Sequence, residues 1–178
     1  MKFLDFALIS GKLKRLPRTG WILSNVNEPE SVAEHSFRTA LLAMIFAPKV
    51  GADPLKAMQI ALIHDVAETE IGDIVVERGD TILVHPDEKH EKEWQAMAKI
   101  SEGIEYPELL ELFDEYEQQQ TVEAKLVKQL DRLEMAIQAY EYEKEQKLDL
   151  EEFFFSVRRD VEDPALRVIL DQIEKLRE

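Results

Sequence analysis

The chain has 178 residues, of which 45% are hydrophobic, and it carries a formal net charge of −15 and no cysteine. A chain of this size buries one substantial core, and neither a linker-like tract nor an internal repeat divides it, so we predict one domain over residues 1–178. The negative charge argues against binding of duplex nucleic acid, and the lack of cysteine excludes thiolate metal ligands, cysteine nucleophiles and disulfides.

The hydrophobic pattern is helical along nearly the whole chain and predicts an all-α bundle. The longest strand-like run is Ile-Leu-Val-His at residues 82–85. Signals for helix starts occur at Ser31, Asp53, Pro107, Asp149 and Asp163-Pro164. Neither a signal-sequence pattern nor an apolar stretch of about eighteen residues is found, so we expect no membrane association and a cytoplasmic location.

The first candidate functional residue is His35, in the segment ESVAEHSFRTALLAMIFA. Ser31 and Glu34 form a capping-box pattern, which predicts a helix start and places His35 in the first turn or just beyond it. His35 lies at helical spacing from Val32 and therefore faces the same core as the apolar stripe. A hydrogen-bonded core histidine and a metal ligand both explain this position.

A second candidate is the pair His64-Asp65. Asp53-Pro54 predicts a helix start, and the apolar positions that follow predict a core helix that runs to His64. If this helix persists for one more turn, Glu68 lies on the same surface as the pair. A buried imidazole and carboxylate need a partner, and a metal ion is the partner that this pairing favours.

A further carboxylate, Asp131, falls within an apolar face of the predicted helix TVEAKLVKQLDRLEMAIQAYEYEKE. An unpaired aspartate in such a place would cost several kcal/mol or become protonated. Each of the four residues has an ordinary structural explanation when it is taken alone. Together, two imidazoles and two carboxylates on the buried sides of predicted helices favour one metal site.

The order His35, His64-Asp65, Asp131 resembles the ligand set of the HD-domain metal-dependent phosphohydrolases, an all-helical superfamily. The segments PRTGW, NVNEPESVAEHS, ALIHDVAETEIGDI, DEKHEKEWQAM and LDRLEMAIQAYEYE are similar to the corresponding parts of its 5'-deoxynucleotidase branch. The resemblance covers roughly residues 4–145. It implies that the all-α bundle is an HD-domain helical bundle.

The resemblance also implies a metal centre. His35, His64, Asp65 and Asp131 would hold one divalent metal ion per chain, and a mixed nitrogen and oxygen ligand set favours Mn, Co, Ni or Fe, with Mg and Zn as further candidates. Glu68 lies outside this ligand set and is our candidate general acid/base. Its alternative role is that of a surface residue on the final helical turn.

The remaining histidines bear on the number of metal ions. Dinuclear HD phosphodiesterases use further histidine ligands between the His-Asp pair and the last aspartate. His85 precedes a proline in a predicted loop, and His90 lies in a strongly charged helix. We expect both side chains to be exposed and therefore predict a mononuclear centre.

By resemblance, Arg18, Trp21 and Asp73 form a nucleotide site. The matching arginine binds the phosphate, the tryptophan lies beside the sugar and disfavours a 2'-hydroxyl, and the aspartate accepts a hydrogen bond from the 3'-hydroxyl. Thr19-Gly20 separates Arg18 from Trp21, whereas the two residues are adjacent in bacterial members. From the residues alone, a core or interface role for Trp21 and a turn role for Asp73 are the simpler interpretations.

The predicted function is removal of the 5'-phosphate from a deoxyribonucleoside 5'-monophosphate. One alternative is an HD-type deoxynucleoside triphosphate triphosphohydrolase or another phosphodiesterase, which would need more basic residues than this sequence shows. The other is a non-catalytic helical metal-binding interaction module. Because the resembling enzymes are commonly dimers, we predict a homodimer. Helices at about residues 149–178, with Phe153, Phe154 and Phe155, complete the core or form a subunit interface.

Overall fold

The computed structural model describes residues 3–78 and 81–177, and within them the fold is all-α apart from one short hairpin. The helices are α1 (Phe3–Ser10), α2 (Thr19–Leu23), α3 (Val32–Val50), α4 (Pro54–Ile63), α5 (Glu68–Ile71), α6 (Pro86–Ile104), α7 (Glu108–Gln118), α8 (Val122–Gln146), α9 (Glu151–Asp160) and α10 (Pro164–Arg177), and a 3-10 helix (Gly11–Arg15) follows α1. The hairpin pairs β1 (Glu77–Arg78) with β2 (Thr81–Ile82) in antiparallel fashion. None of the helices in these two ranges is both long enough and apolar enough to cross a lipid bilayer.

Several helices begin where polar side chains satisfy free backbone N–H groups. At the start of α3, Ser31 accepts a hydrogen bond from the Glu34 N–H, and Glu34 accepts one from the Ser31 N–H at 2.7 Å. At the start of α4, Asp53 Oδ1 accepts from the Leu55 N–H at 2.8 Å. The starts at Pro107, Asp149 and Asp163-Pro164 correspond to α7, α9 and α10. These predicted starts are confirmed because capping depends on only a few consecutive residues.

Helices α3, α4 and α8 pack against one another at the centre of the molecule. Ala43, Ala47, Ala57 and Ala136 lie on their facing sides and are fully buried. Such small side chains allow the helix axes to approach closely while the interior stays well packed. Polar residues on the same inward faces are therefore brought together from distant parts of the sequence.

Helices α9 and α10 close one side of this core. Phe154, Leu166 and Leu170 are buried to 1% exposure or less and belong to the same apolar cluster as residues of α3, α4 and α8. Phe153 packs against this cluster while partly buried, and Phe155 is exposed. The buried side chains of the C-terminal segment are therefore part of the core, while Phe155 lies on the surface.

A second apolar cluster lies among the 3-10 helix, α5, α6 and α7. Met97 and Ile100 of α6 and Phe113 of α7 are fully buried within it. Val66 and Ala67 belong to the same cluster and directly follow the His64-Asp65 pair in sequence. This cluster therefore anchors the short segment that carries the pair.

Candidate metal centre and substrate cavity

The His64-Asp65 pair lies in a tight turn after the end of α4. The helix ends at Ile63, and the chain continues through hydrogen bonds between residues three apart, from the Val66 N–H to the Ile63 carbonyl and from the Glu68 N–H to the Asp65 carbonyl. The predicted core helix therefore ends beside His64, and the further turn that would have carried it to Glu68 does not form, because these tighter turns interrupt the helix. The turn nevertheless leaves Glu68 buried, at 2% exposure.

Four predicted ligands converge where α3, α8 and this turn meet. His35 on α3 is fully buried, and its Nε2 lies 3.2 Å from Asp131 Oδ1 on α8 and 3.7 Å from Asp65 Oδ2. His64 Nε2 lies 3.2 Å from the same Asp65 oxygen. Candidate ligand atoms of His35, His64 and Asp131 all lie within 4.8 Å of one another. One ion can therefore be reached from all three structural elements.

The hydrogen bonding of this cluster fits a metal ion. Despite their short distances to carboxylates, His35 Nε2, His64 Nε2 and Asp65 Oδ2 are buried without a hydrogen-bond partner of adequate geometry in the described part of the chain. Leaving a buried polar atom unsatisfied costs about 1–3 kcal/mol. Two imidazole nitrogens and carboxylate oxygens that face one another in this way form a donor set suited to a divalent transition metal.

The opposite ring nitrogens are held by other groups. His35 Nδ1 lies 2.5 Å from Glu134 Oε2, and Glu134 is fully buried and also accepts a hydrogen bond from Arg38 Nε at 2.7 Å. His64 Nδ1 lies 2.7 Å from the Ala61 carbonyl oxygen and donates to it. With Nδ1 as the donor in each ring, Nε2 is the nitrogen left for a metal. Sequence reasoning missed Glu134, although its spacing of three residues from Asp131 places both on one helix face.

The carboxyls around the cluster have opposite protonation tendencies. Although burial favours the neutral form, His35 holds the pKa of the Asp131 carboxyl well below its usual range. Burial, followed by the charges of Asp65 and Asp73, raises the pKa of the Glu68 carboxyl well above its usual range. Asp131 is thus ionised, as a metal ligand must be, whereas the protein around Glu68 favours the protonated form.

A cavity of about 200 Å³ opens from this cluster. His64, Asp65, Asp131 and Glu68 line it. Arg18 lines it as well, with a side chain that is 15% exposed and a guanidinium Nη1 that lies 3.6 Å from Asp65 Oδ2. The candidate metal centre therefore shares one cavity with Arg18, the residue that the family resemblance assigned to phosphate binding.

Trp21 and Asp73 line the same cavity. Trp21 is 1% exposed, its Nε1 donates to Glu30 at 3.0 Å, and its ring packs against Phe153 at a centroid distance of 4.2 Å. Asp73 Oδ2 accepts a hydrogen bond from the Thr19 N–H at 2.5 Å. Trp21 is thus a core aromatic and a cavity wall at once, and Asp73 ties the segment after α5 to the start of α2.

His85 and His90 lie outside the cavity. The His85 side chain is 68% exposed, and His90 is 49% exposed and contacts Glu117 at 2.8 Å. Within the described residues, the second group of possible ligand atoms is Glu30, His35 and Glu134, which shares His35 with the first. That group uses the ring nitrogen already bonded to Glu134.

Sequence reasoning missed several further residues that line the cavity. Lys89 of α6, Tyr116 of α7 and Lys128 of α8 all line the cavity. Lysines in charged helices are ordinarily solvated, so pattern alone gives no reason to single them out. Lys128 did carry one signal, since it precedes Asp131 by three residues and so shares its helix face.

A helical bundle that buries this donor set beside a cavity defines the class of the protein: a metal-binding helical domain with the features of a hydrolase site. The chain belongs to the HD-domain family, whose model, described as "HD domain", matches residues 10–171. The family and the fold class inferred from the sequence are therefore confirmed.

Relatives of known name cover nearly the whole chain. "5'-deoxynucleotidase HDDC2" of Danio rerio is 38% identical over 98% of this chain and 87% of its own length. The Homo sapiens protein of the same name is 39% identical over 96% of this chain and 84% of its own length. Among solved structures, a conserved hypothetical protein from Pyrococcus furiosus is 37% identical, with a TM-score of 0.79 over 97% of this chain and 99% of that one.

Proposed function

We propose that this protein is a metal-dependent 5'-deoxynucleotidase, which hydrolyses a deoxyribonucleoside 5'-monophosphate to the nucleoside and orthophosphate. The observation that carries the proposal is the group of buried, unsatisfied ligand atoms of His35, His64 and Asp65 beside a cavity. The names of the relatives, at 38% and 39% identity over nearly the full chain, support the same activity.

The proposed metal ligands are His35, His64, Asp65 and Asp131. We propose one ion per chain, since His85 and His90 are exposed away from the cavity, with Mn, Co, Ni or Fe preferred over Mg or Zn. A divalent ion bound there would lower the pKa of water and neutralise charge on the phosphoryl oxygens.

Glu68 is the proposed general acid/base. It is 2% exposed, lines the cavity, and its Oε2 has no hydrogen-bond partner of adequate geometry within the described chain. Its surroundings raise the pKa of the carboxyl, which favours a proton available for the leaving sugar oxygen. The alternative role of a surface residue requires an exposed side chain, and Glu68 is buried.

Arg18, Trp21 and Asp73 form the proposed nucleotide site. The guanidinium of Arg18 offers paired donors to phosphate oxygens next to the metal ligands. A carboxylate oxygen accepts more than one hydrogen bond, so Asp73 can hold the Thr19 N–H and a sugar hydroxyl together. The buried edge of Trp21 forms a rigid wall, because Phe153 and Glu30 fix its ring.

Hydrolysis of a triphosphate would require free cations beyond Arg18. Four other basic side chains line the cavity, Lys128 among them. Three of the four are close to a carboxylate: Lys89 to Glu93 at 3.4 Å, Arg132 to Asp160 at 3.5 Å and Arg159 to Glu77 at 2.5 Å. Such pairing lowers the attraction of these residues for a long phosphate chain. With three of these four cations paired, the charges favour a monophosphate over a longer phosphate chain.

We also propose that the protein acts as a cytoplasmic homodimer that associates through the outer face of α3. Phe37, Leu41, Met44 and Ile45 are large, exposed and spaced on one side of this helix, whose other side faces the core. Sedimentation of the wild-type chain should give a dimer at micromolar concentration, and Ile45→Glu should shift it to a monomer. A wild-type monomer at that concentration would refute the dimer.

Phosphate release tests the activity directly. Metal-stripped protein is reconstituted with Mn, Co, Ni, Fe, Mg or Zn and incubated with deoxy- and ribonucleoside mono- and triphosphates. We expect release from deoxymonophosphates that depends on added metal. Activity confined to triphosphates would support the triphosphohydrolase alternative instead. No phosphate release from any substrate would support the non-catalytic metal-binding module.

A further inference from the structure

Lys128 differs from the other basic side chains that line the cavity. Arg18, Lys89, Arg132 and Arg159 each have a carboxylate oxygen within 4 Å. The Lys128 ammonium contacts a neutral residue instead, and among residues 3–78 and 81–177 no carboxylate lies within ion-pair distance of it. In a chain with a net charge of −15, a cavity cation without such a partner is unusual.

The ammonium of Lys128 is held in place by Tyr116. Its Nζ donates to the Tyr116 hydroxyl at 3.1 Å and lies 4.6 Å from the centroid of that ring. The Tyr116 hydroxyl in turn donates to Asp131 Oδ2 at 3.3 Å. Tyr116 is 4% exposed, and its ring packs beside the His64 ring at a centroid distance of 5.3 Å. The ammonium is therefore two hydrogen bonds from a proposed metal ligand.

This arrangement leaves binding capacity on the ammonium. A lysine ammonium has three N–H donors, and the Tyr116 hydroxyl takes one of them. A hydroxyl and an aromatic face orient the positive charge without neutralising it. An anion that enters the cavity beside the metal centre would meet a cation that the fold has already oriented. Binding of the anion would therefore cost less side-chain entropy.

We infer that Lys128 is a phosphate-binding residue, which contacts a non-bridging oxygen of the substrate phosphate and of the orthophosphate product. The inference rests on the proposed function for the identity of the substrate. Lys128 would bind the phosphate from the α8 side, while Arg18 would bind it from the start of α2. Two cations on separate elements fix the orientation of a phosphate better than one.

A purely structural role predicts something different. If Lys128 acted only through Tyr116 on Asp131, its loss would weaken metal binding and leave the affinity for phosphate of the metal-loaded protein unchanged. If it binds phosphate, its loss would leave metal affinity unchanged. The two roles are therefore separated by measurements on two different ligands.

The experiment uses Lys128→Met, Lys128→Arg and the control Lys125→Met, which removes an exposed lysine one turn earlier on α8. Calorimetry measures binding of the metal to each stripped protein, and then binding of orthophosphate and of a deoxyribonucleoside to each metal-loaded protein. Neither of these two probes is consumed by hydrolysis. Far-UV circular dichroism and thermal unfolding confirm that each variant is folded.

We expect Lys128→Met to bind orthophosphate about tenfold to a hundredfold more weakly, as for loss of a charge-assisted hydrogen bond. Deoxyribonucleoside and metal affinities should stay at wild-type values, Lys128→Arg should recover most of the phosphate affinity, and Lys125→Met should match the wild type. In turnover assays, KM for the monophosphate should rise in Lys128→Met.

Unchanged orthophosphate affinity in Lys128→Met would overturn the inference. A fall in metal affinity with unchanged phosphate affinity would overturn it in favour of the structural role through Tyr116. Failure of the proposed function gives a different result. The wild type would then release no phosphate from any nucleotide, while its orthophosphate binding would still depend on Lys128. This result would support the anion site and contradict the nucleotidase assignment.

Discussion

The two sides of the candidate metal centre are held in different ways. His35 is on α3, and its Nδ1 contacts Glu134, a residue of α8 that is 99 positions away in the sequence. His64 is in the turn after α4, and its Nδ1 donates to the carbonyl of Ala61, three positions away. One side depends on contact between distant helices, and the other depends on local backbone.

The difference matters because one partner is charged and the other is neutral. Glu134 is fully buried and bonds both His35 and the partly exposed Arg38, so a change there removes a buried counter-charge from the guanidinium and leaves the buried His35 Nδ1 without its partner. A change at His64 leaves only a backbone carbonyl without its donor. We therefore expect changes on the α3–α8 side to alter stability and metal affinity together, and changes on the turn side to alter the chemistry with less effect on stability.

The largest expected effect is that of His64→Ala. Loss of a ligand nitrogen should abolish metal binding and metal-dependent turnover, while the metal-free protein should lose only about 1–3 kcal/mol of unfolding free energy, as for one unsatisfied buried group. Metal content by mass spectrometry and urea unfolding of the stripped protein measure the two quantities. His90→Ala, at an exposed histidine, is the control, and wild-type metal content in His64→Ala would exclude His64 as a ligand.

Glu68→Gln should come next in size. It keeps the shape of the side chain and removes the acid, so turnover should fall by about 10²–10⁴-fold while metal content stays at the wild-type level. Glu70→Gln alters a carboxylate that bonds Lys12 and Lys99 outside the cavity, and it should retain activity. Full activity in Glu68→Gln would require another general acid/base.

Glu134→Ala tests the opposite side. We expect metal affinity to fall about 10–100-fold, as for loss of an outer partner of a ligand, and unfolding free energy to fall by about 3–5 kcal/mol, because His35 and Arg38 lose a buried counter-charge. Metal titration and chemical denaturation measure both. Glu141→Ala is a matched control, since Glu141 also bonds Arg38 but its side chain is 43% exposed. If Glu134→Ala and Glu141→Ala lowered metal affinity and stability equally, the proposed difference between the α3–α8 side and the turn side of the metal centre would be wrong.

The smallest expected effect concerns the start of α3. Hydrogen bonds from the Ser31 N–H and hydroxyl lower the pKa of Glu34 below its reference value of 4.5. This group therefore contributes stability above pH 4.5, and the contribution is lost as the pH falls through its lower folded-state pKa. Wild type and Glu34→Gln should thus differ in stability at pH 6, and the difference should shrink in urea unfolding as the pH falls further below 4.5. If the difference in unfolding free energy between the two proteins grew as the pH fell, the predicted pH dependence would be wrong.

Much of the fold and the residue types of the candidate site were predictable from the sequence. The capping residues Ser31 and Asp53 mark the starts of α3 and α4 because caps act within a few residues. The sequence placed the end of α4 at His64, next to its observed end at Ile63. It did not decide whether the helix persists for one more turn, because apolar residues continue through Val66 and Ala67, where the chain turns to join a second cluster. Periodicity reports which residues are buried, but it does not report where a buried segment stops being helical.

By itself, the sequence determined that this chain is a helical bundle of the HD-domain family and that His35, His64, Asp65 and Asp131 are candidate ligands. Within the residues that the structure describes, the tertiary structure alone decided which atoms of these side chains lack partners, that Glu134 holds His35, and that Lys128 reaches the cavity with no carboxylate at ion-pair distance. The physical reason is that hydrogen bonds and ion pairs are short-range and are completed by residues from distant segments. Helical periodicity places a side chain on a face, and only the packing of that face determines its partner.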